Sequence, residues 1–133
     1  MAIGGTPLFV SGTSKPIIAP PSISFHPKGG RLVLFGTGKY LETADTTSTN
    51  TQTIYGVWDN NTAATVTADA LVQQVMTDGT TRTATQNAVS YSTTIKGWYV
   101  NLPVSGERIK GVPSLEDGIF VFASIVPSAS PCD

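Results

Sequence analysis

The side chains with the widest chemical range are few and scattered. His26, the only histidine, stands in a His-Pro-Lys-Gly-Gly turn. Zinc or a histidine-based triad would call for further ligands or partners, which the neighbouring sequence does not offer, so His26 reads as a solvated turn residue. The run Gly36-Thr37-Gly38-Lys39 has the look of a phosphate loop, but the wide glycine spacing and the Ser/Thr after the lysine are missing, and Tyr40 follows instead. Asp45, Asp59 and Asp69 are candidate oxygen ligands for calcium. They do not form the alternating acidic loop that a hard cation requires, and read as loop acids and turn formers. Glu107 and Arg108 are adjacent on a strand, so they point to opposite faces and each needs its own partner. Trp58, Trp98 and Tyr99 read as packing aromatics, with sugar stacking as the functional alternative. Cys132, the only cysteine, cannot close an internal disulfide, and in an oxidising setting its partner would lie outside the chain. No reaction centre emerges.

The bulk composition narrows the remaining classes. At 133 residues the chain forms one folding unit with a real core, residues 1–133, with flexible ends expected at 1–14 and 127–133. Eight basic residues against nine acidic ones leave no basic stripe to neutralise phosphates, which argues against nucleic acid as a partner. Only 13% of residues are charged, and Thr, Ser, Asn and Gln carry the polar balance, as on secreted or surface β-proteins. No basic start leads into a long apolar run, and no apolar stretch approaches the ~20 residues of a membrane helix. The chain is therefore read either as intracellular or as an excerpt of a longer exported protein.

The elements that must position these residues are strands. Arg31 to Phe35 is a short apolar run ended by Gly36 and Gly38, and Thr53 to Trp58 is a second, broken by Asp59-Asn60-Asn61. Between them runs a Thr/Ser/Asn-rich loop, from Glu42 to Gln52. Pro7 to Val10 reads as a first strand, and Ile17 to Phe25, interrupted by Pro20-Pro21, as a bent or edge strand or an innermost propeller strand with a bulge. Ala63 to Met76 is the only candidate helix, but Asp78-Gly79 favours a hairpin folding Leu71–Thr77 onto Thr80–Gln86. Gly97 to Leu102 and Glu107 to Val112 are two further strands, and Ile119 to Val126 is the most apolar of all, expected to be buried on both faces. The pattern predicts an all-β fold of antiparallel, blade-like sheets, with a rearranged barrel or sandwich as the alternative.

Taken in order, LFGTGKYLETAD, TQTIYGVWD, GWYVNLPVSGERI and FVFASIVPSASPCD resemble the C-terminal β-propeller region of the PilY/PilC family of type IV pilus tip-associated proteins. The resemblance runs from Lys15 to Cys132. It singles out Gly36, Gly38, Lys39, Tyr40, Asp45, Gln52, Tyr55, Trp58, Asp59, Gly97, Trp98, Tyr99, Gly106, Glu107, Arg108 and Cys132 as motif residues with structural roles. It implies an exported, surface-exposed protein acting in pilus assembly, in countering retraction, and in adhesion or twitching motility. Pilus subunits or other tip proteins, and a host or surface receptor, are the implied partners. The Asp-rich calcium loop of some members is missing here, as is their Arg-Gly-Asp motif, so no cofactor is expected in this chain and neither calcium control nor integrin binding carries over.

A closed propeller needs at least about four blades of ~40–50 residues, so the chain is expected to be an excerpt or a short homologue with two or three blade equivalents. Such a piece would cover its open strand edges by self-association or by closing into a barrel. A quinone-dependent oxidoreductase fragment is the enzymatic alternative, for which the chain offers too few acids and cations. A carbohydrate-binding module is the other, and would be marked by exposed Trp58 or Trp98.

Overall fold

The computed structural model describes residues 5–128. Seven strands form: β1 (Ser22–Phe25), β2 (Arg31–Gly36), β3 (Thr53–Asp59), β4 (Leu71–Gln74), β5 (Gly97–Asn101), β6 (Arg108–Glu116) and β7 (Ile119–Ile125). The first five make one sheet in the order β1-β2-β3-β5-β4, and β6 and β7 form a separate two-stranded sheet. The fold is all-β, and the main sheet is open, with β1 and β4 at its two ends. Strands β1, β2, β3 and β5 are an antiparallel meander, and β4 adds to β5 in parallel. Ser22 to Asn101 thus amounts to one four-stranded antiparallel unit, where the sequence suggested two or three in the whole chain. The difference lies in the long connection from β3 to β5, which carries β4 and a second hairpin.

That connection departs from the sequence reading. The candidate helix reduces to a 3₁₀ turn at Ala68–Ala70. The Asp78-Gly79 hairpin forms, but it pairs residues 75–77 with 83–85 around an antiparallel bridge between Met76 and Ala84. Leu71–Gln74 leaves it to lie along β5, because burying Leu71 in the core outweighs local hairpin pairing.

Both faces of the main sheet are covered. Phe35, Tyr55 and Val57 project to one side, where Leu8, Phe9 and Val66 pack on them. Ile54 and Val100 project to the other and meet Leu102 and Ile109, with Trp98, Phe120 and Phe122 beside them. The Pro7–Val10 segment forms no strand beyond a single parallel bridge between Phe9 and Val66. It is nonetheless anchored, since the Phe9 ring lies 4.7 Å from that of Tyr55 and 5.9 Å from that of Phe35. The lead-in, expected to be flexible as far as residue 14, therefore carries part of the core.

The C-terminal hairpin also corrects an expectation. Strand β7 alternates exposed and half-buried residues from Ile119 to Ser124, with Ile119 67% and Val121 49% exposed, because among the described residues only β6 pairs with it. Strand β6 runs past Pro113 through a bulge between Lys110 and Ser114, which accommodates a residue that cannot donate to the ladder. Asp117 and Gly118, both with positive φ, make the tight turn into β7.

Candidate contact surface

The Gly-Thr-Gly-Lys run works as framework. Thr37 is fully buried; its hydroxyl donates to Gln52 Oε1 at 2.7 Å and accepts from the Thr53 N–H at 2.9 Å. Gln52 in turn donates to the Ser14 carbonyl at 3.2 Å, tying the lead-in to the start of β3. At Gly38, with φ +122°, a Cβ would stand 2.4 Å from the Arg108 Cβ, so only glycine fits there. Gly36 is the last residue of β2.

The loop that follows is pinned from inside. Residues Thr43–Thr47 form a 3₁₀ turn, and the buried Asp45 carboxylate accepts from the Leu41 N–H at 2.8 Å and the Glu42 N–H at 3.1 Å. The Leu41 bond is the largest of the effects that hold the Asp45 carboxyl below the usual range, and the Lys39 ammonium adds to them from 3.3 Å. Lys39 also pairs with Glu42, and its pKa is raised by hydrogen bonds to Glu42 and then Asp45. From the other side the buried Arg108 guanidinium donates to the carbonyls of Gly106 at 3.0 Å, Lys39 at 2.6 Å and Ser48 at 3.1 Å. Gly106 packs against the Ser48 carbonyl as well. One guanidinium, with its planar fork of donors, thereby closes both ends of the loop onto β6. Turned outward are Tyr40 and Leu41, the latter 75% exposed, with Thr43 exposed beside them, while the Thr46 hydroxyl donates to the Thr43 carbonyl at 2.7 Å.

Glu107 faces the opposite way and is fully buried. Its carboxylate receives Arg82 Nη1 at 2.5 Å, the Ser124 hydroxyl and the Val104 N–H at 3.3 Å. The divergent partners expected of adjacent strand residues are thus Arg82 for one and three backbone carbonyls for the other.

At the far end of β3, Trp58 Nε1–H donates to the Gly29 carbonyl at 2.8 Å. His26 stacks on the Trp58 ring with centroids 4.8 Å apart and meets the Tyr91 ring edge-on at 4.3 Å. Its solvated-turn reading is therefore corrected: His26 is buried in an aromatic pocket, and burial, followed by the charge of Lys28, lowers its pKa. Lys96 Nζ lies over the same Trp58 ring, 5.0 Å from its centroid.

The other motif residues fall along the sheet. Tyr55 is in the core and Tyr99 half-buried beside it, with rings 6.3 Å apart. Gly97 lets β3 and β5 approach: a Cβ there would stand 1.9 Å from the Gly56 carbonyl oxygen. Trp98 is half-buried and lies over Gly56. Asp59 caps the Asn61 N–H at 2.9 Å, and Asp69 is held below the usual carboxylate range by its bond to Thr67. Cys132 lies outside the described residues. Among the described residues no group of three or more His, Cys, Asp or Glu side chains is placed to hold a metal ion, and no helix is long and apolar enough to cross a membrane. Leu41, Arg82 and Tyr91 were not singled out by the sequence. Each is an isolated residue in a polar stretch, and only its tertiary partners give it a role.

Comparison with known proteins settles the family. The model of the PilY1 beta-propeller domain matches residues 2–95. The chain belongs to the PilY1 β-propeller family. The type IV pilus biogenesis factor PilY1 of Pseudomonas aeruginosa strain PAO1 is 34% identical over 166 aligned positions, which cover 99% of this chain and 14% of that protein. A PilY1 homolog of Xylella fastidiosa strain Temecula1 is 32% identical over 139 positions, covering 93% of the chain and 9% of the relative. The chain thus spans about a seventh or less of the length of these PilY1 relatives. No solved structure matches it. The matched stretch of the PilY1 domain contains the pinned 39–52 loop and the meander up to the start of β5.

Proposed function

We propose that this chain is a non-catalytic module of an exported type IV pilus biogenesis protein, working at the bacterial surface in pilus assembly, retraction control and attachment. Its relatives carry the name of type IV pilus biogenesis factors, and that name is the source of the pilus context. The observation that carries the reading is the loop from Lys39 to Gln52. Its polar interior is fully engaged in holding its own backbone, through Asp45, Gln52 and Arg108, while Tyr40 and Leu41 are turned outward. A loop fixed in this way binds without first being ordered, which is how rigid scaffolds present contact residues.

The acids and cations that an enzymatic reading would recruit are already committed. Glu107 is paired with Arg82, Asp45 is paired with Lys39 and accepts from two backbone N–H groups, and Arg108 donates to three carbonyls. Trp58 is buried, so of the three aromatics sugar stacking would fall to the half-buried Trp98 and Tyr99.

The test is a Tyr40→Ala/Leu41→Asp variant placed in the full-length protein. With export and protein level unchanged, surface attachment is expected to fall, and the pili recovered by shearing show whether assembly depends on the same surface. Wild-type attachment and wild-type piliation together would remove the loop from the proposal.

A further inference from the structure

The turn between β1 and β2 is joined to the chain ahead of β5 through an aromatic contact that can take up a charge. Residues 86–95 contain no strand or helix. The segment is anchored at its start, where the Asn87 N–H donates to Gln74 Oε1 at 2.9 Å and the Asn87 side chain to the Gln73 carbonyl at 2.8 Å. It is anchored again at its end, where the Lys96 N–H donates to the Ala70 carbonyl and the Trp58 N–H to the Lys96 carbonyl, both at 2.7 Å. Between these anchors Ser92, Thr94 and Ile95 bond only to one another. Among the described residues, one hydrogen bond leaves residues 88–95, from Lys28 Nζ to the Tyr91 carbonyl at 2.6 Å. The Tyr91 ring completes the junction, with its centroid 4.3 Å from that of His26 and 5.8 Å from that of Trp58.

The His26 ring stands in this junction as a neutral imidazole. Its Nδ1 accepts the Lys28 N–H at 3.2 Å, which places its single proton on Nε2. We propose that His26 is an acid-operated latch: a proton on Nδ1 turns that acceptor into a donor, and Tyr91 with residues 88–95 swings off the β1–β2 turn while the five-stranded sheet stays paired. The Lys28 N–H then faces another N–H, and a buried cation gains no acceptor in exchange. No neighbouring group supplies the compensating charge. Lys28 and, over the Trp58 ring, Lys96 are themselves cations, and the guanidinium of Arg31 on β2 lies over Phe25. Tyr91 stays a neutral phenol, its pKa raised by burial, and Asp59, next to Trp58 on β3, spends Oδ1 on the Asn61 N–H. An indole face favours a cation by about 0.5–1 kcal/mol at exposed sites. Burial and then the Lys28 charge act the other way and prevail, lowering the ring's pKa. The latch is therefore closed above about pH 6.5 and opens as the pH falls through the lowered value. Opening is local, because no strand pair of the main sheet involves residues 88–95.

With a single histidine, an NMR titration of the chain from pH 8 to 5 reads one imidazole. The nuclear Overhauser contacts between the Tyr91 and Trp58 rings are expected to vanish with the midpoint of His26, below pH 6.5, while the amide signals of β3 and β5 keep their positions. Corrected for the intrinsic effect of pH, amide exchange within residues 88–95 is expected to rise by up to about tenfold per pH unit over the same interval. In His26→Phe the ring contacts and the slow exchange persist to pH 5; should that variant fail to fold, the titration of the unsubstituted chain decides alone. Ring contacts that survive protonation of His26, their loss together with the β3 and β5 signals, a midpoint at or above 6.5, or the same loss in folded His26→Phe would each overturn the proposal.

Discussion

Arg82 shows how much a single residue can carry when its partner is out of water. The Glu107 carboxylate is only 1% exposed, and Arg82 is the cation that reaches it. Replacing Arg82 by Met leaves a buried carboxylate with two neutral donors, and the expected loss is about 1–3 kcal/mol. Urea unfolding of the variant measures it. Gly97→Ala is expected to do more damage than its size suggests, because the added carbon would overlap the Gly56 carbonyl and force β3 and β5 apart. A melting curve on that variant would show a chain largely unfolded near room temperature. For His26 the sign follows from the lowered pKa. The unfolded chain binds the proton more readily than the folded one, so stability is complete above about pH 6.5 and falls as the pH drops below that value. Lys28, next to the ring pocket, opposes a further positive charge there. A His26→Phe variant is expected to keep the aromatic stack and to lose this part of the acid sensitivity, seen as a flatter stability profile between pH 7 and 5.

Arg108 acts at the scale of the loop. Its guanidinium ties Lys39 and Ser48 to the turn before β6, and a lysine in its place can satisfy only one of these directions well. Each charge-assisted bond of this kind contributes about 1.5–3 kcal/mol. Arg108→Lys is therefore expected to open the segment between residues 39 and 48 locally, and limited proteolysis should cut there faster than in the parent chain. Equal cleavage rates would mean that Asp45 and the 3₁₀ turn hold the loop unaided. Sequence patterning was a good guide to elements whose partners are close in the chain. The β2–β3 pair, the Asp117-Gly118 turn and the edge position of β1 were all legible from alternation, turn residues and prolines. It failed at β4, where the local hairpin signal of Asp78-Gly79 competes with a parallel pairing to residues 97–100 that leaves no mark in the intervening chain.

The whole molecule is three layers deep: the lead-in segment, the main sheet and the β6–β7 hairpin. The two apolar clusters share β3, which sends Tyr55 and Val57 to one face and Ile54 to the other, so both layers depend on the same strand. Phe9→Ala, far from β3 in sequence, is expected to destabilise the domain by about 2 kcal/mol, below the 3–5 kcal/mol of a fully buried phenylalanine because Phe9 remains half-exposed. Thermal unfolding should stay a single transition; a separate early step would mean that the lead-in is not part of the cooperative unit.

By itself the sequence determined the all-β character and the family, since strand periodicity, turn residues and motif order are properties of neighbouring positions. The tertiary structure alone decided which faces and edges are covered. Ile119–Val126 has the composition of a doubly buried strand, yet β7 stands at the outside, and His26 has the setting of a solvated turn, yet it lies between Trp58 and Tyr91. Burial depends on what arrives from far along the chain, and short-range pattern holds no record of that. The same holds for Gly36-Thr37-Gly38-Lys39, whose spacing hinted at ligand chemistry. Its hydroxyl and backbone prove to be taken up by Gln52, Thr53 and Pro16, leaving the neighbouring Tyr40 and Leu41 as the residues the fold presents.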